Sequence, residues 1–482
     1  MNLKRRSISV ICLALVTVML LPLLFSCKKG DGGNETTGNV NSDRLYLDDL
    51  GEFDFGGYEY NVLSITSEEG TYTKFDVDEI TSAVLDNSIF YRNREIEERF
   101  NVKFIASDDT YPKCYEKLTM QCETGTNDFD MIMLVNRHAY AAAITGYVYP
   151  VEKLPHLNLT KDYYLKDANE MMTLGGKQFL AYSDESLYTF QRATVIAFNK
   201  TMAANLKIEG LYDTVKNNEW TFEKLFEYAK QGVKLDGEGN VEVYGFHGHG
   251  DYVFSSFIVA AGETYVEKQN NTLKFTAGSN EKIDTIANME LGYFKDGTMG
   301  YNFDYKNMND YVQTFKDEQT LFHGTVIGKL LLLKDLTWDF GALPYPKYDM
   351  EQDGYKSRVV DAWLHVVPSS NPDPTRTSVI LEALASGSSK WVFPAYYENS
   401  IQGRTLRDPE SVEMLEIVRS TRVFDWGGIT WSESIRAPIE KQVFDNQSMS
   451  VATVCQSQAR VVSGLIKEAN EGVKKLIEEF GQ

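Results

Sequence analysis

Hydrophobic and polar positions along the chain fall into two alternating periods. "YEYNVLSI" (58–65) and "NVKFIAS" (101–107) are short runs rich in β-branched and aromatic residues, and "DFDMIMLV" (128–135) is almost wholly apolar. Runs of this length and composition predict strands. Between the first two, "EITSAVLDNSIFYRNREIEERF" (79–100) spaces Ile80, Val84, Ile89, Ile96 and Phe100 onto roughly one face, predicting a long amphipathic helix. "PKCYEKLTMQCET" (112–124) reads as a second helix. Strand, helix, strand, helix, strand, with strands apolar on both faces, predicts a parallel sheet covered by helices.

The pattern continues in the second half. "GGKQFLAYSDESLYTFQRATVIAFNK" (175–200) returns to strand character, and "NEWTFEKLFEYAKQGV" (218–233) predicts a helix capped by Thr221 with Glu223 in its first turn. "LDGEGNVEVYGF" (235–246) is a Gly-rich turn into a strand. "FHGTVIGKLLLL", "WDFGALPYPKYD" and "RVVDAWLHVVPSS" read as sheet elements; "PTRTSVILEALASGS", "DPESVEMLEIVRS" and about 457–480 read as helices. No internal repeat is visible.

The N-terminus breaks this rhythm. "MNLKRR" is followed by an apolar run that ends in Leu24-Phe25-Ser26-Cys27, and Pro22 interrupts any continuous spanning helix. This predicts a signal peptide over 1–26 whose last residues resemble a bacterial lipobox, with Cys27 as the acylated residue. The alternative is an uncleaved anchor. Residues 27–44 lack aromatic and large apolar side chains after the cysteine and predict a flexible tether. The remainder is expected on the extracytoplasmic face of a bacterial membrane, and no second apolar run is long enough to span one.

Charge narrows the partners. The chain has 48 Lys+Arg and 69 Asp+Glu; without Lys4, Arg5 and Arg6 the balance is 45 against 69, a net charge of -24. Such a surface repels phosphate backbones and anionic headgroups, which argues against nucleic acid and against any membrane contact beyond the anchor. With Cys12 in the signal and Cys27 lipidated, only Cys114, Cys122 and Cys455 remain. Helical rise separates the first two by about 12 Å, too far for a disulfide.

Catalytic and metal motifs are missing. There is no G-x-S-x-G, H-E-x-x-H or C-x-x-C. "HGTVIGKL" is one residue short of a Walker A loop and reads as a buried strand with a tight turn. "DGEGNVEV" has Val241 where a calcium loop requires glycine and reads as a turn. In "SNEK", Ser279 is expected to cap a helix. His247 and His249 form "HGH" without a partner carboxylate pattern, so no metal and no cofactor are assigned. Aromatic residues in expected loops (Tyr140, Tyr252, Trp363, Tyr396, Tyr397, Trp426, Trp431) are either core residues or flat faces for sugar rings.

In order, "REIEERFNVKF", "NDFDMIML", "VIAFNK", "EWTFEKLFEYAK", "EVYGF", "FGALPYPK" and "VVPSS", after the lipobox, resemble the family 1 type extracellular solute-binding proteins of bacterial carbohydrate ABC importers. "PAYYENSIQGR" and "RSTRVFDWGG" look like a lipoprotein subgroup of them. The resemblance implies a two-lobed α/β periplasmic-binding-protein-like fold of type II. Lobe one would hold 45–192 and 327–388, and lobe two 193–326 and 389–482. Hinges would fall near Gln191–Ala197, His323–Val326 and Ser386–Lys390.

It also implies a non-enzymatic monomer that binds a carbohydrate between the lobes and delivers it to the importer's membrane subunits. Carried over by segment, the ligand-binding positions are Glu68, Glu69, Asn136, Arg137, His138, Asp184, Arg192, His249, Asp251, Tyr252, Asp361 and Trp363. Asn136-Arg137 stands where many members have tryptophan, and Arg192 where many have an acid, which leaves room for an acidic sugar. The alternatives are a surface glycosidase using a carboxylate pair, and a same-fold binder of peptides or other small solutes.

Overall fold

Two sheets organise the computed structural model, which describes residues 46–67, 71–302, 308–397, 405–446 and 450–480. The signal segment, Cys27, the tether, Glu68 and Glu69 lie outside the described residues. In chain order the strands are β1 (Tyr58–Ile65), β2 (Val102–Asp109), β3 (Met131–Val135), β4 (Thr194–Asn199), β5 (Lys234–Leu235), β6 (Val241–His249) and β7 (Val266–Gln269). They continue with β8 (Thr272–Phe275), β9 (Met299–Asn302), β10 (Thr320–Val326), β11 (Phe340–Leu343), β12 (Ser357–Arg358), β13 (Trp363–Val366) and β14 (Arg422–Val423).

The first sheet has the order β13-β3-β1-β2. β1 runs parallel to β2 and β3, and β13 is antiparallel to β3. β3 is buried along its whole length, as its unbroken apolar run requires, whereas the edge strand β2 buries Val102 and Phe104 and exposes most of its other residues. The helix Val84–Phe100 lays Ile96 and Phe100 against Tyr60, Val62 and Phe104 of this sheet. It stops at Asn101, which takes a left-handed φ of 49° and donates its N–H to the Glu97 carbonyl. The expected start at 79 is corrected: Ile80 precedes the helix and is exposed, and Val84 is exposed on its first turn. Further along, Arg92 and Asn93 are buried and donate to the Phe75 carbonyl, so the inner face is not purely apolar.

The second sheet runs β11-β4-β10-β6-β5, with β9 paired to the far half of β6. β4 and β10 are buried throughout. The expected Thr221 cap is present, its Oγ1 accepting from Lys224 N at 3.3 Å. The helix it starts, Phe222–Gly232, crosses β6 so closely that a Cβ on Gly245 would lie 2.0 Å from the Ala229 carbonyl oxygen. Ser279 is not a cap; Asn280 takes that role for Glu281–Lys295, accepting from Lys282 N and Ile283 N.

β11 pairs with β4. Residues 340–343 therefore join the second sheet, although the stretch 327–388 was expected with the first. β12 pairs with β14. The C-terminal helix Val451–Phe480 lies along the β7–β8 hairpin, where the Asn470 side chain bonds both the N–H and the carbonyl of Leu273. It also reaches Ile144 beside the first sheet through Gly472. Cys114, Cys122 and Cys455 are free thiols. Among the described residues no helix is long and apolar enough to cross a membrane.

Candidate functional site

The carboxyl ends of strands from both sheets come to one place. β3 ends at Val135 and passes into the helix Asn136–Ile144; β6 ends at His249 and passes into the helix Gly250–Ala260. Backbone bonds tie the crossings together. Val360 N donates to Arg192 O at 3.0 Å, Ile327 N to Ala193 O at 3.0 Å, and Asn136 N to Ala362 O at 2.7 Å. Open α/β sheets place ligands in such crevices, beyond the carboxyl ends of their strands.

Two stacked aromatic pairs face this junction. Tyr188 lies on Trp363 with ring centroids 3.8 Å apart and planes 15° from parallel. Tyr252 lies on Tyr311 at 5.2 Å and 25°. The Arg192 guanidinium sits between the pairs, 5.8 Å from the Tyr188 ring and 5.4 Å from that of Tyr252, and donates to Tyr252 Oη at 3.2 Å. Asp361 accepts from Trp363 Nε1 and from Ala362 N, both at 2.9 Å, which fixes the indole in its stack. Burial pushes the Asp361 carboxyl above its ordinary pKa, and Arg192, Trp363 and Arg137 offset only part of that.

On the second-sheet side, His249 Nδ1 accepts from Asp251 N at 3.3 Å and caps the helix, with its ring 4.5 Å from Tyr311. Arg436 donates to Asp251 Oδ1 at 2.9 Å, and Arg358 to the Asp251 carbonyl at 2.7 Å. Burial would raise the Asp251 pKa, but Arg436, His249 and Arg358 outweigh it and hold the carboxyl below its usual range.

The structure thus brings together Arg192, His249, Asp251, Tyr252, Asp361 and Trp363. Arg137 stands nearby with its guanidinium over the Tyr111 ring at 5.0 Å. His138 stacks on Tyr115 at 4.7 Å, and burial together with Arg137 lowers its pKa. Asn136 is wholly buried and engaged inside the protein: Tyr182 Oη donates to its Oδ1, and its Nδ2 donates to Thr430 Oγ1 at 2.9 Å.

Asp184 lies apart, on a cavity of about 530 Å³ that Tyr164, Lys166, Glu416, Arg419 and Arg422 also line. Arg419 there is paired with Asp184 at 2.6 Å and with Glu416 at 3.7 Å, and Lys166 with Asp162 at 2.8 Å. Tyr164 Oη is taken by Glu382. The aromatic junction is the other candidate; Tyr188, Tyr252 and Trp363 are buried there and Arg192 beside them is half-buried.

Sequence reading missed Tyr188, Tyr311, Arg358 and Arg436. Tyr188 stands four residues before Arg192, a helical spacing that could have revealed it; Tyr311 and Arg436 carry no local signal. Of the loop aromatics, Tyr140, Tyr252, Trp363, Tyr396, Tyr397 and Trp426 are all buried, Tyr252 and Trp363 at the junction itself. His247 faces His323 in the adjacent strand, ring centroids 6.3 Å apart. Burial lowers their pKa values to about 4 and about 3. Among the described residues no cluster of His, Cys, Asp and Glu could hold a metal ion.

Two α/β lobes with a polar and aromatic junction at their strand ends define a periplasmic-binding-protein-like fold. The sequence profile for bacterial extracellular solute-binding protein matches residues 94–390, and the chain belongs to that family. It is a family of binders, and the chain is not an enzyme. No curated protein matches the sequence.

Solved structures share the fold at low identity. A cyclo/maltodextrin-binding protein complexed with maltotetraose is 15% identical, with a TM-score of 0.58 over 90% of this chain and 100% of that one. UspC of M. tuberculosis is 14% identical, with a TM-score of 0.57 over 86% and 100%. The extracellular solute-binding protein of Staphylococcus aureus in complex with maltose is 12% identical, with a TM-score of 0.56 over 88% and 99%.

Proposed function

We propose that this chain is a lipid-tethered, extracytoplasmic binding protein of type II fold that captures an oligosaccharide and delivers it, as a monomer, to an ABC importer. Cys27 carries the anchor, and residues 27–44 give the body reach to the importer's membrane subunits at high effective concentration. The lobes meet where the chain passes between the sheets, around 191–193 and 359–362, and these crossings act as hinges; the hinges expected at 323–326 and 386–390 fall inside β10 and inside the helical run 374–395.

The observation that supports this most is the pair of aromatic stacks, Tyr188–Trp363 and Tyr252–Tyr311, on either side of Arg192. Aromatic faces take the apolar face of a sugar ring, and Arg192, Arg137, His249 and Asp251 serve its hydroxyls, with Asp361 holding Trp363 in place. The sugars bound by similar folds point the same way.

The test is a thermal-shift screen of the full chain in detergent against saccharides, amino acids and peptides. A ligand at a hundred times its dissociation constant stabilises the native state by about 2.7 kcal/mol. A saccharide is expected to raise Tm and to be recovered chemically unchanged. A response confined to peptides or amino acids would overturn the saccharide reading.

A further inference from the structure

Buried arginines are normally held by a carboxylate, because an unpaired buried charge is expensive. Several arginines of this protein obey the rule. Arg419 pairs with Asp184 at 2.6 Å, Arg99 with Asp48 at 2.9 Å, and Arg436 with Asp251 at 2.9 Å. Arg92, without an ion pair, still places Nε, Nη1 and Nη2 on three oxygen acceptors.

Arg192 does neither. Among the described residues no carboxylate comes within 4.0 Å of it, and its hydrogen bond is to the phenol of Tyr252. Its Nε is buried with no acceptor. Guanidinium nitrogens only donate, and the group stays charged in proteins, so the site has a fixed cation with donor capacity unused. Asp361, the carboxylate that acts on Arg192 electrostatically, is taken up by Trp363 Nε1 and Ala362 N. Arg358 repeats the pattern one residue away along the chain it binds. It donates to the Asp251 carbonyl, has no carboxylate within 4.0 Å, and leaves Nη2 buried without an acceptor.

We infer that the solute carries a carboxylate, and that Arg192 receives it while the Tyr188–Trp363 and Tyr252–Tyr311 stacks take the adjoining ring. Resting on the saccharide reading above, this makes the ligand a uronic-acid-containing saccharide. A planar guanidinium matches a carboxylate in two parallel hydrogen bonds, which a neutral hydroxyl cannot reproduce. Discrimination arises in the site and not by long-range attraction, since a chain of net charge -21 repels anions at a distance. A buried contact of this kind is screened little by salt.

A purely structural Arg192 and a ligand-receiving Arg192 differ in what a neutral replacement does. If Arg192 only braces the fold, Arg192→Gln lowers Tm and leaves the preference among saccharides unchanged. If it awaits an anion, Arg192→Gln leaves Tm close to that of the wild type and abolishes recognition of the acid, because Tyr188, Tyr252 and Asp361 already favour the charged guanidinium and the ligand adds a further contact.

The experiment uses calorimetry on the full chain in detergent, with oligouronates of gluco, galacto and manno configuration. Each is paired with its carboxyl-reduced neutral counterpart. At least one acid is expected to bind ten-fold or more tighter than its neutral partner. Arg192→Gln should erase that ratio while circular dichroism and Tm are retained, and Arg192→Lys should restore it only in part. A neutral sugar binding as well as or better than every acid would overturn the inference and leave the saccharide reading standing. An acid preference that survives Arg192→Gln would overturn the assignment to Arg192. No binding to any member of the panel would overturn both.

Discussion

Trp363 presents its ring to Tyr188 and its Nε1–H to Asp361, so one side chain both builds a face and holds a carboxylate. The two roles separate by mutation. Trp363→Phe keeps an aromatic face and removes the donor, leaving Asp361 buried with one fewer partner. A loss of about 1–3 kcal/mol is expected in urea unfolding at pH 7, with less at pH 4 where the carboxyl can take a proton. Asp361 and Trp363 were legible in the sequence because "VVDAW" sets a carboxylate and an indole against an otherwise apolar run. The fate of Asn136 was not legible: the groups that consume its amide, Tyr182 and Thr430, lie 46 and 294 residues away. Only folding reveals that a polar side chain at a strand end is already satisfied.

Pairs of neighbouring strands set the stability of the second sheet. His247 in β6 and His323 in β10 are register partners, and burial holds their pKa values at about 4 and about 3, against 6.5 in an unfolded chain. Between these values the unfolded state binds more protons, so stability rises with pH. Each contribution is complete above about pH 6.5 and is lost as pH falls through the folded values. The loss is roughly 3 kcal/mol or more per histidine by pH 3. Asp425, raised to about 6 by burial, works in the opposite sense, stabilising below its unfolded value and losing that effect as pH rises through 6.

Comparison of wild type with His323→Phe by urea unfolding from pH 3 to 8 cancels such background groups, and the variant is expected to show the shallower acid limb. Gly245→Ala, forced against the Ala229 carbonyl, should cost about 1–3 kcal/mol or more, whereas Gly237→Ala, with nothing within 4 Å, should stay near wild type. Strand composition made β1, β3, β4 and β10 visible in the sequence. It could not show that β11 leaves the expected lobe to pair with β4, because pairing is decided by tertiary partners and not by the run itself. The helix that the period predicts over 79–100 starts only at Val84 for a related reason: Ile80 fits the period but is exposed and meets no sheet.

At the scale of the whole molecule, Arg192 stands at the crossing between the sheets, bonded through its backbone to Val360 and through its side chain to Tyr252. A ligand bridging the lobes can favour the closed arrangement only by its differential affinity for it, and a pre-existing bond across the junction reduces the shift the ligand must supply. Tyr252→Phe removes the acceptor of the 3.2 Å bond while keeping the stack on Tyr311. A bond of this kind contributes about 0.5–1.5 kcal/mol. The closed fraction without ligand should therefore fall, and the dissociation constant should rise by roughly two- to twelve-fold, since 1.4 kcal/mol is ten-fold. Small-angle scattering should give the unliganded variant a larger radius of gyration than wild type, and saturating ligand should bring the two to the same value. Equal radii without ligand, combined with a weakened affinity, would mean that Tyr252 Oη acts on the ligand itself and that closure is set elsewhere along the crossings.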